Sequence, residues 1–406
     1  MLAPSLPYHY YRRRGAAGVS LLISLPVLLL LVGLALYIGL LRDVRQEAQT
    51  GADAAALAGA RLLADDSLLL RQGYHKAMEE RVRSARQVAQ IIAQMNFAGD
   101  QQLRLDLNEA NDPQGDIVVG QLDEPLRGTF TPLPTDPSLW ENASINAVRV
   151  QVRRSPLPGL WGGRPPQQDI AARATAMLDW RVVGFRPRNE QPIPLMPIAL
   201  YTDHNGADPS GWDGQWQHRH HDLWRYDPHH QQWQVGPDGL SEIHLVLGDT
   251  GLASSQALFV QIGVEDFAGT INQIQQGIRR GELERQFGAG GFVLRGDNKV
   301  DVPGMAGLPP AGSPGRHRLL EALQQVAGGG EPRLWPLFTY YDAAQGQVTI
   351  SGWTAARLVQ VQTSNTVTLV LQPCVLVHPA VVTEGRDPPP PFWKNNRMVC
   401  RVRLAE

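Results

Sequence analysis

AAGVSLLISLPVLLLLVGLALYIGLL, residues Ala16 to Leu41, is a run of 26 residues without a charge, and Arg12, Arg13 and Arg14 stand just before it. At 1.5 Å per helical residue, about 20 apolar residues cross a hydrocarbon core of roughly 30 Å, so the run predicts a transmembrane helix. The apolar core of a secretory signal is shorter, about 7–15 residues, and closes on a small-residue cleavage site. This run is longer and passes directly into helix-forming sequence, so a retained anchor is expected. Cationic flanks stay in the cytoplasm. Residues 1–14 are therefore read as a cytoplasmic tail, 15–42 as the membrane helix, and the remainder as exported. Pro26 falls inside the span, where neighbouring groups absorb the missing hydrogen bond as a kink.

Downstream the helical character persists. Val44 to Ala64 is rich in Ala, Leu, Glu and Gln, all strong helix formers. Asp65-Asp66-Ser67 reads as an N-cap cluster restarting a helix at Leu68. That helix carries Met78, Val82, Ala85, Val88, Ile91, Ile92 and Met95 near the 3.6-residue period, with Glu79, Glu80, Arg81, Arg83 and Arg86 on a solvated face. Residues 43–99 thus form a helical stalk. From Leu103 the period becomes two, with strands expected at Leu103–Leu107, Asp116–Gln121, Ala147–Arg153 and Asp169–Asp179, a first β-rich region over 100–186. Val148, Val150 and Val152 alternate with Arg149, Gln151 and Arg153, as in a half-buried strand.

Pro187 to Pro197 reads as a linker, 187–202, into a C-terminal exported α+β region, 203–406. A helix is expected over Thr270–Phe287 and another over Arg316–Val326. Strands are expected at Ile243–Leu247, Ala257–Val264, Leu334–Tyr340, Gln347–Trp353, Leu358–Gln362, Val367–Leu371, Val375–Val382 and Met398–Leu404. Asp387-Pro388-Pro389-Pro390-Pro391 separates the last two. The fold class is α+β: one transmembrane helix continuing into a long helix, then an antiparallel β-rich exported region, pilin-like in outline.

Composition bounds the function. A net charge of −2 gives no general attraction to nucleic acid, which is excluded as a partner. Hydrophobic residues at 43% suffice for buried cores, and Gly 40 with Pro 31 point to many turns. Cys374 and Cys400 are the two cysteines, and in an exported domain they are expected to form a disulfide.

Two stretches together resemble the N-terminal signature of TadG-like, Flp (tight adherence) pilus-assembly proteins. One is Arg13-Arg14-Gly15-Ala16-Ala17 leading into the span with Leu25-Pro26. The other is Gly51-Ala52-Asp53-Ala54-Ala55-Ala56-Leu57-Ala58-Gly59-Ala60, which is similar to the ADAAALAGA block of that family. The resemblance is good over 12–64, moderate to about 180 and faint beyond. Flp pilins and their TadE/TadF-type relatives are cut after a glycine that has glutamate five positions on. With Gly15 as that glycine the fifth position is Ser20, so a TadG-type protein that keeps its anchor is the closer resemblance. Asp249-Thr250-Gly251 does not match the DxSxS metal motif of the von Willebrand A domain that some TadG-like proteins carry.

The small residues give Ala52, Ala55, Ala56 and Gly59 as partner-contact candidates, because such residues let another backbone approach closely. A second reading stays open, in which the protein's own strands cover this face. Residues 203–244 hold seven of the eleven histidines and four of the ten tryptophans. His218, His220, His221, His229 and His230 are of a type that binds Zn, Cu or Ni, but their spacing fits no zinc pattern. The expectation is a polar loop packed down by Trp212, Trp216, Trp224, Tyr226 and Trp233. Asp203, Asp208, Asp213, Asp222 and Asp227 lack EF-hand spacing and read as turn residues. Ser351-Gly352 and Ser254-Ser255 lack the GxSxG elbow, and Gly328-Gly329-Gly330 lacks a following Lys-Ser/Thr.

No catalytic, cofactor or metal residue is assigned. The reading is a non-enzymatic, single-pass inner-membrane protein, N-terminus inside, assisting assembly or anchoring of a Flp-type pilus. Its expected partners are the lipid bilayer and other Tad/Flp pilus-assembly or pilin-like proteins. The rival is a membrane-tethered metal-binding protein or hydrolase with a site in 203–244.

Overall fold

The computed structural model describes residues 16–405, apart from 71–73, 126–127, 137–138, 141–144, 156–169, 188, 205, 219–220, 249–254, 306, 365 and 384–397. The tail with Arg12–Arg14, the Gly15 site, His220, Asp249-Thr250-Gly251 and the Pro388–Pro391 segment lie outside the described residues.

The apolar run and the alanine-rich segment that follows it are one helix. α1 runs Ala16–Leu62 without interruption, 47 residues and so about 70 Å, with Pro26 inside it. Asp65 then caps a 3₁₀ turn, Asp66–Leu69, its side chain accepting from Ser67 N–H. The second helix, α2, starts at Tyr74 and ends at Gln94; Asp65 therefore caps a tight turn, and the helix expected from Leu68 begins six residues later. Its inward face is Met78, Val82, Ala85, Ala89 and Ala93, all buried. Arg86, expected in solvent, is buried on the same side and donates to Glu109 O and Asn111 Oδ1.

The chain turns back through a hairpin, β1 Phe97–Ala98 and β2 Gln101–Gln102. Leu103–Leu107 is irregular, not a strand, although Leu103 and Leu105 are buried. Next come β3 Ile117–Gln121, β4 Thr131–Pro132, β5 Ala147–Arg154, β6 Ile170–Asp179 and β7 Val182–Phe185. β5 follows its alternation, with Val148, Val150 and Val152 fully buried.

The C-terminal elements are β8 Ile198–Tyr201, α3 Trp212–His218, β9 Trp224–Asp227, β10 Gln232–Val235, β11 Ile243–Leu247 and β12 Ala257–Phe259. They continue with α4 Phe267–Gln276, α5 Arg280–Phe287, β13 Phe292–Val293, β14 Val300–Pro303 and α6 Pro314–Gly329. The last are β15 Pro332–Asp342, β16 Gln347–Thr363, β17 Val367–Pro373, β18 Leu376–Val377, β19 Val381–Thr383 and β20 Val399–Ala405. α6 has strong boundary signals: Ser313 accepts from Arg316 N–H, Pro314 follows it, and Gly330 closes the helix at φ 59°. One helix was expected over Thr270–Phe287; two form, because Gly277 at φ 85° stops α4 and Ile278 bridges to Ile193.

Two cores result. The first lies between α1, α2 and a six-stranded sheet ordered β18-β20-β6-β5-β3-β4. The second fills a sheet ordered β14-β16-β15-β8-β12-β11-β17. The long β16 pairs with β14 and β15 along its first part and with β17 along its second, so the sheet closes on itself. Three pairings are parallel, β8 with β15, β11 with β12 and β18 with β20. Trp212, Trp335 and Trp353 are the largest side chains sealed within this second core. The stretch read as a linker is built into it. Ile193, Leu195 and Met196 are wholly buried, Met196 N–H bonds Leu334 O, and β8 lies between β15 and β12. Its prolines impose extended backbone and do not release the chain.

Candidate functional site

α1 changes character along its length. From Leu21 to Leu40 its large apolar side chains all face outward, and none of the helix's most apolar stretch is buried. By length and composition this helix can cross a membrane. From Val44 one side of the same helix becomes the spine of the first core.

The partner-contact candidates lie on that buried side. Ala52, Ala55 and Ala56 are completely buried. A Cβ at Gly59 would stand 3.1 Å from Ala85 O, 3.2 Å from Ala89 Cβ and 3.3 Å from Val148 Cγ1. α2 and β5 therefore occupy the face that another protein would need. The small residues serve this chain's own packing, letting α2 and the sheet close on α1 with almost no side chain between.

Residues 203–244 form a lid on the closed sheet and α6. Trp212 is sealed in the core, Trp216 packs against it, and Trp233 donates its indole N–H to Ala327 O of α6. Tyr226 packs on Trp233 at 5.1 Å. Among the described residues no three His, Cys, Asp or Glu side chains converge as metal ligands. The aspartates hold turns. Asp203 accepts from Gly206 and Asp208 N–H, Asp222 from Asp238 and Gly239 N–H, and Asp227 from His229 and His230 N–H.

One constellation here was not visible in the sequence. His204 Nε2 lies 2.8 Å from Ser351 Oγ, its Nδ1 lies 3.7 Å from Asp213 Oδ2, and Thr202 Oγ1 donates to the same carboxylate. Ser351 and His204 are 147 residues apart and meet only because β8 and β16 flank β15. The order hydroxyl, imidazole, carboxylate matches acyl-transfer chemistry, which also requires a hydroxyl that substrate can reach. Ser351 is 4% exposed and stands within a strand, and the neighbouring cleft of about 650 Å³ is lined by Tyr201, Asp208, Phe338 and Tyr340 but not by Ser351. The group ties the turn after β8 to β16.

Residues 15–62 match the Tad family model, Flp pilus-assembly TadE/G-like. Over those residues the chain is similar to that family. No curated protein and no solved structure matches the chain. The matched residues coincide almost residue for residue with α1, so both the outward-facing apolar half and the buried alanine half belong to the TadE/G-like segment.

Beyond that segment the two cysteines depart from expectation. Cys374 and Cys400 are free and buried. Cys400 pairs in register with Val377 of β18, whereas Cys374, just past the end of β17, bonds its N–H to Ala355 O of β16. A disulfide needs Cα atoms within about 7 Å. Cys374 packs in the second core and Cys400 in the first, and burial raises both thiols well above their ordinary range. A thiol-reactive dye should label neither cysteine in the folded protein and both after denaturation without reductant. Failure to label after denaturation would reinstate the bond.

Asp238 carries a pH dependence. Burial, with Asp222 adding to it, pushes this carboxyl up to about 6, while Leu240 N–H and Gln372 donate to it. A carboxyl whose folded pKa exceeds its ordinary 3.8 stabilises the fold below that value and loses the contribution as pH rises through about 6. Asp238→Asn should therefore melt higher than the parent at pH 8, and the gap should vanish near pH 4. Melting curves at both pH values check this, and a gap that widens on acidification would refute it.

Proposed function

We propose that this chain is a non-catalytic, membrane-anchored component that assists assembly or anchoring of a Flp-type pilus. In this reading residues 1–14 face the cytoplasm, 15–42 cross the inner membrane, 43–99 form the stalk, and the rest folds outside. The observation that carries it is the division of one unbroken helix at Leu41–Val44. From Leu21 to Leu40 its large aliphatic side chains are exposed; from Val44 on, the helix is the spine of a folded core. A helix so divided has a use only where lipid covers its first half. The TadE/G-like match spans both halves and supports the pilus context.

An export-dependent reporter fused after Glu406 should be active, and cross-linking of intact membranes should recover other pilus-assembly proteins. An inactive reporter on membrane-bound protein would reverse the topology. Normal piliation in a strain lacking this chain would remove the assembly role.

A further inference from the structure

The helical region leaves three large apolar side chains uncovered, Ile91, Met95 and Phe97, at 53%, 72% and 56% exposure. The last two lie at the end of α2 and the start of the β1–β2 hairpin, and α1 sets their height. The strongly apolar part of α1, Leu21–Leu41, is 21 residues long. These rise about 31 Å, matching a hydrocarbon core of roughly 30 Å. Arg42 and Asp43 follow at once, so the hydrocarbon boundary falls at Leu41.

Val44, three residues on, is already 1% exposed. The folded region therefore begins about 5 Å above that boundary, inside a headgroup layer that adds roughly 5–7 Å on each side. The hairpin stands at this level. A Cβ at Gly99 would lie 3.2 Å from Val44 Cγ2, Gly99 N–H bonds the Glu47 carboxylate, and Phe97 shares a cleft with Asp43 and Gln46.

We propose that Met95, Phe97 and the Gly99–Asp100 turn form a foot resting in the lipid headgroup layer, its apolar side chains directed at the acyl boundary. This rests on the anchor reading above. Membrane helices tilt by about 20° on average, with interfacial side chains setting the direction. A lean of α1 towards its α2 side lowers Phe97 into the layer. The contact is apolar and not charge-driven: Arg42, Arg45 and Arg154 are matched in number by Asp43, Glu47 and Asp100, and Arg154 is paired to Asp100 at 2.7 Å. The foot therefore has no requirement for anionic lipid.

The test uses the full chain in nanodiscs of phosphatidylcholine, with spin labels on Leu30→Cys, Phe97→Cys and Val235→Cys. The native cysteines are buried and escape labelling. Val235 is 83% exposed on β10, close to where Gly239 meets Leu70 beyond the far end of α1, and serves as the aqueous control. Collisions with oxygen and with a water-soluble nickel chelate report depth. Leu30 should be rich in oxygen and closed to nickel, and Val235 open to nickel. Phe97 should lie between them, several-fold less open to nickel than Val235 and unchanged when phosphatidylglycerol is added. A Phe97 as open as Val235, with Leu30 still in lipid, overturns the foot and leaves the patch to a protein partner. A nickel-accessible Leu30 overturns the anchor itself. A Phe97 signal that changes with phosphatidylglycerol refutes the apolar contact.

Discussion

Gly59→Leu should abolish accumulation of the folded protein, before any partner is involved. A Cβ alone at this position would already meet Ala85 O, Ala89 Cβ and Val148 Cγ1 at 3.1 to 3.3 Å. Leucine adds three further carbons where the Ala85 backbone oxygen and the Ala89 and Val148 side chains already stand in contact. Overpacking of a filled core costs about 1–3 kcal/mol and more where backbone must move. Here backbone must move, because α2 is held by its own helix bonds and β5 by the sheet. Ala55→Leu, fully buried on the same face, should behave alike. Arg45→Leu, on the exposed side, should leave accumulation near normal. Immunoblots of membranes, with limited proteolysis, separate the cases. Normal levels of protease-resistant Gly59→Leu protein without pili would show that the face meets a partner after all.

Asp66→Ala gives the second large effect. Asp66 lies in the 3₁₀ turn between α1 and α2, yet both carboxylate oxygens reach the other core. Oδ2 accepts from Arg357 of β16 at 2.5 Å, and Oδ1 accepts from Val375 N–H at 2.6 Å. The Arg357 side chain is only 12% exposed and stacks 4.9 Å above Tyr226. Alanine would leave a largely buried guanidinium and a backbone donor without their carboxylate. Breaking one side of a buried pair typically costs about 3–5 kcal/mol, whereas removing both charges is much milder. Denaturant unfolding should show a loss of about 3 kcal/mol for Asp66→Ala. The double variant Asp66→Ala, Arg357→Leu should recover part of it. Strictly additive losses would mean that the pair contributes nothing specific.

The parts of this fold legible in the sequence are those where one local pattern has one physical outcome. Twenty-six uncharged residues can only be a helix in lipid or a sealed core. Val148, Val150 and Val152 place one face of β5 inside whatever covers it. What failed to show depends on distant partners. Small residues at 52–59 admit a close neighbour but carry no mark of whether it is foreign, and α2 turned out to be that neighbour. Gly277 weakens the helix over Thr270–Phe287, but a single glycine is often tolerated, and the break is fixed by Ile193 arriving from elsewhere. Arg86 reads as surface because its acceptors, Glu109 O and Asn111, come from a loop with no periodicity. Prolines at 187–197 mark extended chain equally well in a tether and in an interior strand. The Ser351, His204 and Asp213 cluster was hidden by the same separation, and the structure places it away from reach of a substrate.

The order of the first sheet has a consequence for biogenesis. β20, residues Val399–Ala405, inserts between β18 and β6, while α1 and α2 have already packed on the other side of the same layer. In the exported topology proposed above, the chain is delivered from its N-terminus, so β6 waits with an open edge until most of the exported region has crossed. During that interval the emerging polypeptide is a half-finished sheet tethered to the bilayer, able to recruit any strand offered to it. A chaperone on the far side of the membrane, or a strand lent by a neighbouring subunit, would find its opening there. A chain stopped before Val399 should remain sticky and be degraded, however well its membrane helix inserts.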